Sequence, residues 1–521
     1  VSDTSQSTVR PTFARRPASF DGFVRAQGTA LVDGSGRELL LRGIGLGNWM
    51  LPEGYMWRFG LGAESPREIE ALVARLLGTE AAAAFWDGFR EAFITEADIA
   101  LIAESGFDHV RLPINSRVVQ TEDGEPIEAG YAMIDRLIAW CRTHELWVVL
   151  DLHGAPGGQT GTNIDDSPRG LPELFMDDRY RANTIRLWRD LATRYRDETV
   201  VLGYDLLNEP LPNEWQHTYR DALGDLYREL TAEIRAIDPD HLIIYEGAHW
   251  ATNWDVFDAV WDTNSMLQFH KYWSSPDLAT IQQFLDARER LQLPIYMGEG
   301  GENTLEWIYT AFRMYESQTI GWNFWPWKKV DTTTSPASID PPVGWDRVIA
   351  AIDGAPLDRA EAQRTFDDLL VAMRIENVRW QPEIVSALVG GAPSVIPAWG
   401  FGYSGAGESH SVADGTPLPG IRENDAVSLT YATPGDNPAN PFEQGDGRGY
   451  LPAEELVVEL AAGDWLEFEL SETTDTGTAR AVTLDGKEAP VEFTRRARGL
   501  RVTATGPTRL HRILGLDTTS D

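Results

Sequence analysis

Two glutamates carry the clearest chemical signal in this chain: Glu209 in LLNEP and Glu299 in MGEGG each close a short apolar run. Hydrolysis of a glycosidic bond needs such a pair, one carboxylic acid to protonate the leaving oxygen and one carboxylate to meet the anomeric carbon. A lone glutamate at the start of a loop is ordinarily a solvated surface group. Here Arg111, His153, Asn208, His270, Tyr272 and Trp325 also stand at or just past the ends of apolar runs. The pair is therefore read as a chemical centre, with Glu209 as acid/base and Glu299 as nucleophile.

The runs that end in these residues number eight: Glu38–Leu46, Phe107–Pro113, Trp147–Leu152, Val200–Leu207, Leu242–Glu246, Met266–His270, Ile295–Glu299 and Thr319–Trp325. Amphipathic helical patterns separate them, among them Tyr131–His144, Ala182–Arg196, Tyr219–Ile237 and Leu278–Leu291, and a last one spans Ala362–Ile375 with Phe366, Leu369, Leu370 and Met373 on one face. Eight strands alternating with helices predict an α/β fold, a (β/α)8 TIM barrel over residues 38–379, in which all strand ends converge on one mouth. The stretch Leu51–Glu91 interrupts the alternation and is expected to wall that mouth. Residues 1–37 read as an N-terminal extension. Beyond Trp380 helical periodicity disappears; Leu466, Phe468 and Leu470 alternate with Glu467 and Glu469, and Asp485-Gly486 marks a hairpin. Residues 380–521 are expected to form a C-terminal antiparallel β-sandwich with one long Gly/Pro/Asn loop, Ala432–Tyr450.

The segments VRLPIN (Val110–Asn115), DLHGAPG (Asp151–Gly157), LLNEP (Leu206–Pro210), FHKY (Phe269–Tyr272), MGEGG (Met297–Gly301) and GWNFWPW (Gly321–Trp327) resemble, in order and spacing, glycoside hydrolase family 5. The resemblance implies a retaining double displacement with carboxyl groups about 5–5.5 Å apart. It implies that Glu299 forms the glycosyl-enzyme, that Tyr272 and Arg111 position it, and that Asn208 binds the substrate 2-hydroxyl. His153 and His270 would hold hydroxyls and the acid/base, and Trp325 would floor the sugar. RGIGLGNWMLPEG (Arg42–Gly54) and DLHGAPGGQTG (Asp151–Gly161) look closest to the exo-acting β-1,3-glucanase and β-glucosidase branch, where a glutamate at the position of Glu53 binds the terminal glucose; an ordinary loop carboxylate is the equal alternative. Trp49 and Trp57 share that segment, and one of them could pack beneath the insertion. The appended sandwich departs from that branch and resembles members acting on glycolipids or other bulky-aglycone glycosides. An endo-acting β-glucanase or mannanase, and a non-catalytic carbohydrate-binding protein, are the competing readings.

Composition narrows the partners. Against 45 Lys and Arg stand 80 Asp and Glu, and a net charge of -35 repels nucleic-acid phosphates and anionic lipid. No apolar run approaches the length needed for membrane insertion. Cys141 is the single cysteine, so neither an intrachain disulfide nor a cysteine zinc site can form. No HExxH, calcium loop or phosphate loop occurs, and no metal or other cofactor is expected. A carbohydrate or glucoside is the expected partner, and the 19 Trp suit stacking on sugar rings. Trp399 and Trp465 are candidates for a second sugar platform, although Trp465 reads as core. His109, His144 and His241 read as ordinary histidines; His249, in EGAHWATNW, lines the cleft with Trp250 or packs a loop. Val1–Ser19 contains no secretory apolar segment, which points to the cytoplasm, or to secretion if a signal was already removed.

Overall fold

The computed structural model describes residues 17–518 apart from 391–392, 414 and 472–473; residues 1–16 of the expected extension lie outside the described residues. Eight parallel strands close a barrel in chain order: β1 (Arg42–Gly45), β2 (His109–Asn115), β3 (Trp147–Gly154), β4 (Val201–Asp205), β5 (Leu242–Glu246), β6 (Ser265–His270), β7 (Ile295–Gly301) and β8 (Gly321–Trp325), with Trp322 of β8 pairing back to Arg42. Every residue of these strands is buried, because side chains fill the interior and helices cover the outside.

One irregularity in the barrel matters for the site. Met297 pairs with Phe269 and Glu299 with His270, so β7 bulges at Gly298. A Cβ on Gly298 would sit 2.0 Å from the Gln268 side chain. Glycine here lets the strand kink, and the bulge re-aims Glu299 at the mouth.

The run expected as a first strand, Glu38–Leu46, is divided. Glu38–Leu39 instead joins Arg25–Gln27 and Ala30–Val32 in a three-stranded antiparallel sheet, and only Arg42–Gly45 enters the barrel. Val24, Leu31 and Leu41 pack with Trp147, Leu202, Leu242 and Met266. This small sheet closes the barrel end opposite the mouth, a use of apolar residues that a linear pattern does not distinguish from a longer strand.

The Leu51–Glu91 insertion only partly does what the sequence suggests. Its first turn carries Glu53 and Tyr55 into the pocket. Its two helices, Pro66–Leu77 and Thr79–Ala92, pack against helix Arg359–Ala372, through rings that include Trp57, Phe85, Phe89, Trp345 and Phe366. Trp49 and Trp57 are both buried, with indole N–H groups donated to the Arg90 carbonyl and Asn48 Oδ1.

The C-terminal module is built of antiparallel sheets; the four-stranded one contains His410–Ser411, Trp465–Glu469, Gly499–Ala504 and Val491–Arg496. Leu466, Phe468 and Leu470 are buried. A helix, Pro382–Val389, stands where helical periodicity was expected to be absent; two turns between Pro382 and Gly390 are too short for a period to show. Trp465 is a correction to the core reading. It is only half-buried, on the outer face of its strand, with the Arg501 guanidinium 3.5 Å over its ring. Trp399 is buried against Phe442, so neither tryptophan offers a free sugar platform. The barrel helix Leu305–Ser317 is buried almost all round, since the barrel covers one side and the module the other. Tyr309 donates to the Glu469 carbonyl and Arg512 pairs with Glu306 across this junction. No described helix is long and apolar enough to cross a membrane.

Candidate active site

The site is assembled around Arg111, fully buried on β2. Its guanidinium donates to Asp205 Oδ2 at 2.9 Å, Asn208 Oδ1 at 2.8 Å, Glu246 Oε1 at 3.0 Å and Glu299 Oε2 at 2.7 Å, and lies 3.1 Å from Asp151. Burial, then repulsion from Glu246, drives the Asp205 pKa well above its usual value. Burial also works against a charge on Glu246, but His270, Arg111 and the Glu209 backbone N–H outweigh it and lower that pKa. Gln268 completes the layer by donating to both carboxylates.

Above this layer stand the two glutamates. Glu209 follows β4 in a left-handed conformation, φ 43°, with its N–H donated to Glu246 Oε2 at 2.7 Å. Its Oε1 accepts from His270 Nδ1 at 2.7 Å. Burial disfavours protonation of His270, yet Glu246, Glu299 and Glu209 together raise its pKa well above the ordinary value. Glu299 accepts from Tyr272 Oη at 2.9 Å on one oxygen and from Arg111 on the other. Burial and the neighbouring Glu299 push the Tyr272 pKa far up, so the phenol stays a donor. One oxygen of Glu209, one of Glu299 and a His270 nitrogen lie within 4.8 Å of one another. That spacing could suit a cation, but Arg111 already places positive charge against Glu299.

Trp325 lies across the pocket floor, its ring stacked on His153 at 5.4 Å and 6°, its indole N–H donated to Tyr55 at 2.8 Å. Gly45 and Gly47 run beneath it; a Cβ on either would come within 2.5 Å of the ring. His153 Nδ1 donates to Asp151 and its Nε2 accepts from Asn208 Nδ2 at 3.3 Å. Since Arg111 takes Asn208 Oδ1, the amide of Asn208 is fixed. Glu53 is buried in the pocket wall, and its carboxylate accepts no hydrogen bond from the described residues. Beside it, Glu302 pairs with Lys329, whose ammonium sits 5.4 Å over the Tyr55 ring.

The structure thus brings all nine sequence-selected residues, Glu209, Glu299, Glu53, Arg111, His153, Asn208, His270, Tyr272 and Trp325, into or directly under one pocket of about 560 Å³. Trp250 lines it and His249 does not; the His249 backbone N–H donates to the Leu211 carbonyl. His109, His144 and His241 lie elsewhere, bound to Tyr296, Glu96 and Asp238. Sequence reasoning missed Asp205, Glu246 and Gln268 below the pair, and Tyr55, Glu302, Lys329 and Trp273 on the wall. Glu246 ends an expected strand, so the same strand-end test reaches it. Only four of the 45 basic residues are lysine, and two of those, Lys271 and Lys329, line the pocket.

Residues 73–331 match the model of the cellulase family, glycosyl hydrolase family 5. A beta-xylosidase of Phanerodontia chrysosporium is 33% identical over 255 residues, 48% of this chain and 52% of that protein. A probable glucan 1,3-beta-glucosidase A of Emericella nidulans is 33% identical over 275 residues, 50% of this chain and 66% of that one. The chain therefore spans between half and two thirds of these relatives. The crystal structure of endogalactoceramidase superimposes with a TM-score of 0.50 at 16% identity, covering 95% of this chain and 100% of that one; it shares the fold of barrel and C-terminal module together.

Proposed function

The barrel belongs to glycoside hydrolase family 5, and from that footing we propose that this glycoside hydrolase is a retaining, exo-acting β-glycosidase that removes a terminal β-glucosyl residue. The observation that carries the reading is the approach of Glu209 and Glu299 to within 4.8 Å. That separation suits direct attack on the anomeric carbon and leaves no room for the intervening water that inversion needs, with carboxyls about 6.5–9.5 Å apart.

Glu299, oriented by Tyr272 and Arg111, attacks the anomeric carbon as Glu209 passes its proton to the glycosidic oxygen. The C–O bond to the leaving group breaks and a glycosyl-enzyme ester forms. Glu209, now a carboxylate held by His270, takes a proton from water, whose oxygen displaces Glu299 from the sugar. In this reading Asn208 Nδ2 donates to the 2-hydroxyl, where a hydrogen bond gains strength in the transition state. Glu53 supports the terminal-sugar reading: a carboxyl group on the pocket wall with no hydrogen bond from the described residues can accept from sugar hydroxyls. The likeness to a glucan 1,3-beta-glucosidase supports glucose as the sugar.

The test is product analysis on aryl β-glucosides and short β-1,3-glucans, with Glu299→Gln beside the wild type. Glucose release by the wild type and loss of turnover in a folded Glu299→Gln protein are expected. Full activity in that variant overturns the mechanism. Viscosity loss of a polymer ahead of monosaccharide release overturns the exo reading and favours an endo-glucanase or mannanase.

A further inference from the structure

The long loop of the C-terminal module, between strands Leu429–Tyr431 and Leu456–Leu460, reaches the mouth of the barrel. Asn440 Nδ2 donates to the Trp273 carbonyl at 2.8 Å, and Asn303 Nδ2 donates to the Phe442 carbonyl at 2.7 Å. Phe442 is buried beside Trp399 and Tyr450, and Tyr450 Oη lies 3.0 Å from Thr304 Oγ1. Gly445 lines the pocket, and its missing Cβ would stand 3.0 Å from Trp273 Nε1. Gly447 lies so close to Thr333 and Thr334 that a Cβ would be 2.5 Å from Thr333 Oγ1. The segment therefore runs from the residue that follows Tyr272 past β6 to the loop after β8, over the segment that follows β7.

This loop continues a wall. Trp273 donates its indole N–H to the Glu302 carbonyl at 3.0 Å; Glu302 pairs with Lys329, Lys329 covers Tyr55, and Glu53 stands two residues before Tyr55 in the chain. All of these residues follow β6, β7, β8 or β1. Glu209 follows β4 and Trp250 and Thr252 follow β5, the strands across the eight-stranded barrel from β8 and β1. The acid/base must face the oxygen that leaves. The leaving group therefore departs past β4 and β5, the part of the wall after β8 and β1 closes the opposite, glycone end, and the loop ties Trp273 to it through Thr333.

We propose that Asn440–Gly447 of the C-terminal module completes the blind end of the glycone pocket, and that Gly445, against Trp273, is a specificity-determining position limiting the glycone to a single β-linked sugar. The proposal rests on the exo reading above. A side chain at 445 has no left-handed backbone to resist it and meets the Trp273 ring first, so it narrows the pocket without straining the backbone of the loop.

The experiment compares three substrates: β-glucosyl fluoride and nitrophenyl β-glucoside, which share a glycone and differ in leaving group, and nitrophenyl β-laminaribioside, whose direct release of nitrophenol needs room for a second sugar. The wild type is expected to prefer the monoside. Gly445→Leu is expected to lower kcat/KM on both glucosyl substrates by the same factor, about tenfold or more. Trp273→Ala is expected to raise direct nitrophenol release from the bioside, relative to the monoside, by about tenfold. A loss confined to the nitrophenyl glucoside puts Gly445 on the leaving-group side and overturns the proposal, as does a monoside preference unchanged in both variants. A wild-type preference for the bioside overturns the exo reading itself. If Gly445→Leu does not fold, as judged by its circular dichroism, the Trp273→Ala ratio decides.

Discussion

Of the carboxylates lining the pocket, Glu53 is the one that accepts no hydrogen bond from the described residues. Burial, then repulsion from Glu299, Glu302 and Glu209, raises its pKa well above the usual carboxylate value, and Lys329 offsets only part of this. The folded state thus resists ionising Glu53, and at neutral pH the unfolded state is favoured by that amount. Glu53→Gln is expected to stabilise the protein by about 1–3 kcal/mol, the cost of a buried unsatisfied group, while lowering kcat/KM on glucosides. Because the folded pKa is the higher one, the gain is present above it, shrinks as pH falls through it and vanishes below the unfolded value. Melting temperatures of both proteins across this range read the effect; a difference independent of pH refutes it. Tyr272→Phe removes the hydroxyl on Glu299 and is expected to lower kcat by about 10²-fold, the scale of one directed hydrogen bond in a transition state, with the fold unchanged. Undiminished kcat would remove Tyr272 from the mechanism. The residues that touch this pocket from strand ends were legible because type and position coincide there. Tyr55 and Trp273 were not, since nothing local separates a pocket-lining aromatic from a packed one; Trp57, two residues from Tyr55, is buried in the ring cluster.

At the scale of elements, the barrel strands were legible as short apolar runs, within a few residues at each end. The bulge in β7 was visible only as the glycines of MGEGG, with no sign of what they permit. Gln268 explains it: its side chain fills the space beside Gly298 while donating to Asp205 and Glu246, so it cannot retreat without unpairing both. Gly298→Ala is expected to destabilise the protein by about 1–3 kcal/mol through overpacking, and to lower kcat more than a surface substitution of equal thermal cost. Thermal melts and kcat on one aryl glucoside measure both. A variant with wild-type melting and turnover would show that the bulge does not depend on glycine. The antiparallel sheet at Arg25–Leu39 and the helix Pro382–Val389 were missed for a shared reason: each is too short for its periodicity to rise above the composition around it.

On the scale of the whole molecule, the change in character after Trp380 announced a second module, but not its engagement with the first. The loop at Asn440–Gly447 meets Trp273 across a long stretch of chain, and a local pattern holds no register for such a contact. Nor did it announce that helix Leu305–Ser317 serves both cores. One hydrophobic cluster runs from Ile44 and Leu112 in the barrel through Trp307 and Phe312 to Phe468 and Val502 in the module. Tyr309, Arg512 and Tyr403 add bonds across it, to the Glu469 carbonyl, Glu306 and the Pro276 carbonyl. Unfolding either part alone would expose the other face of that helix to water, at about 25 cal/mol per Å² of apolar surface, and would strip Phe442 and its loop from the pocket. Barrel and module are therefore expected to melt as one cooperative unit, giving a single calorimetric transition whose calorimetric and van't Hoff enthalpies agree. A mechanism-based inactivator that esterifies Glu299 should raise that one transition, and Tyr309→Ala should lower it without splitting it. Two resolved transitions, with only the upper or only the lower shifted by the inactivator, would show that the module folds independently and leans on the barrel without completing it.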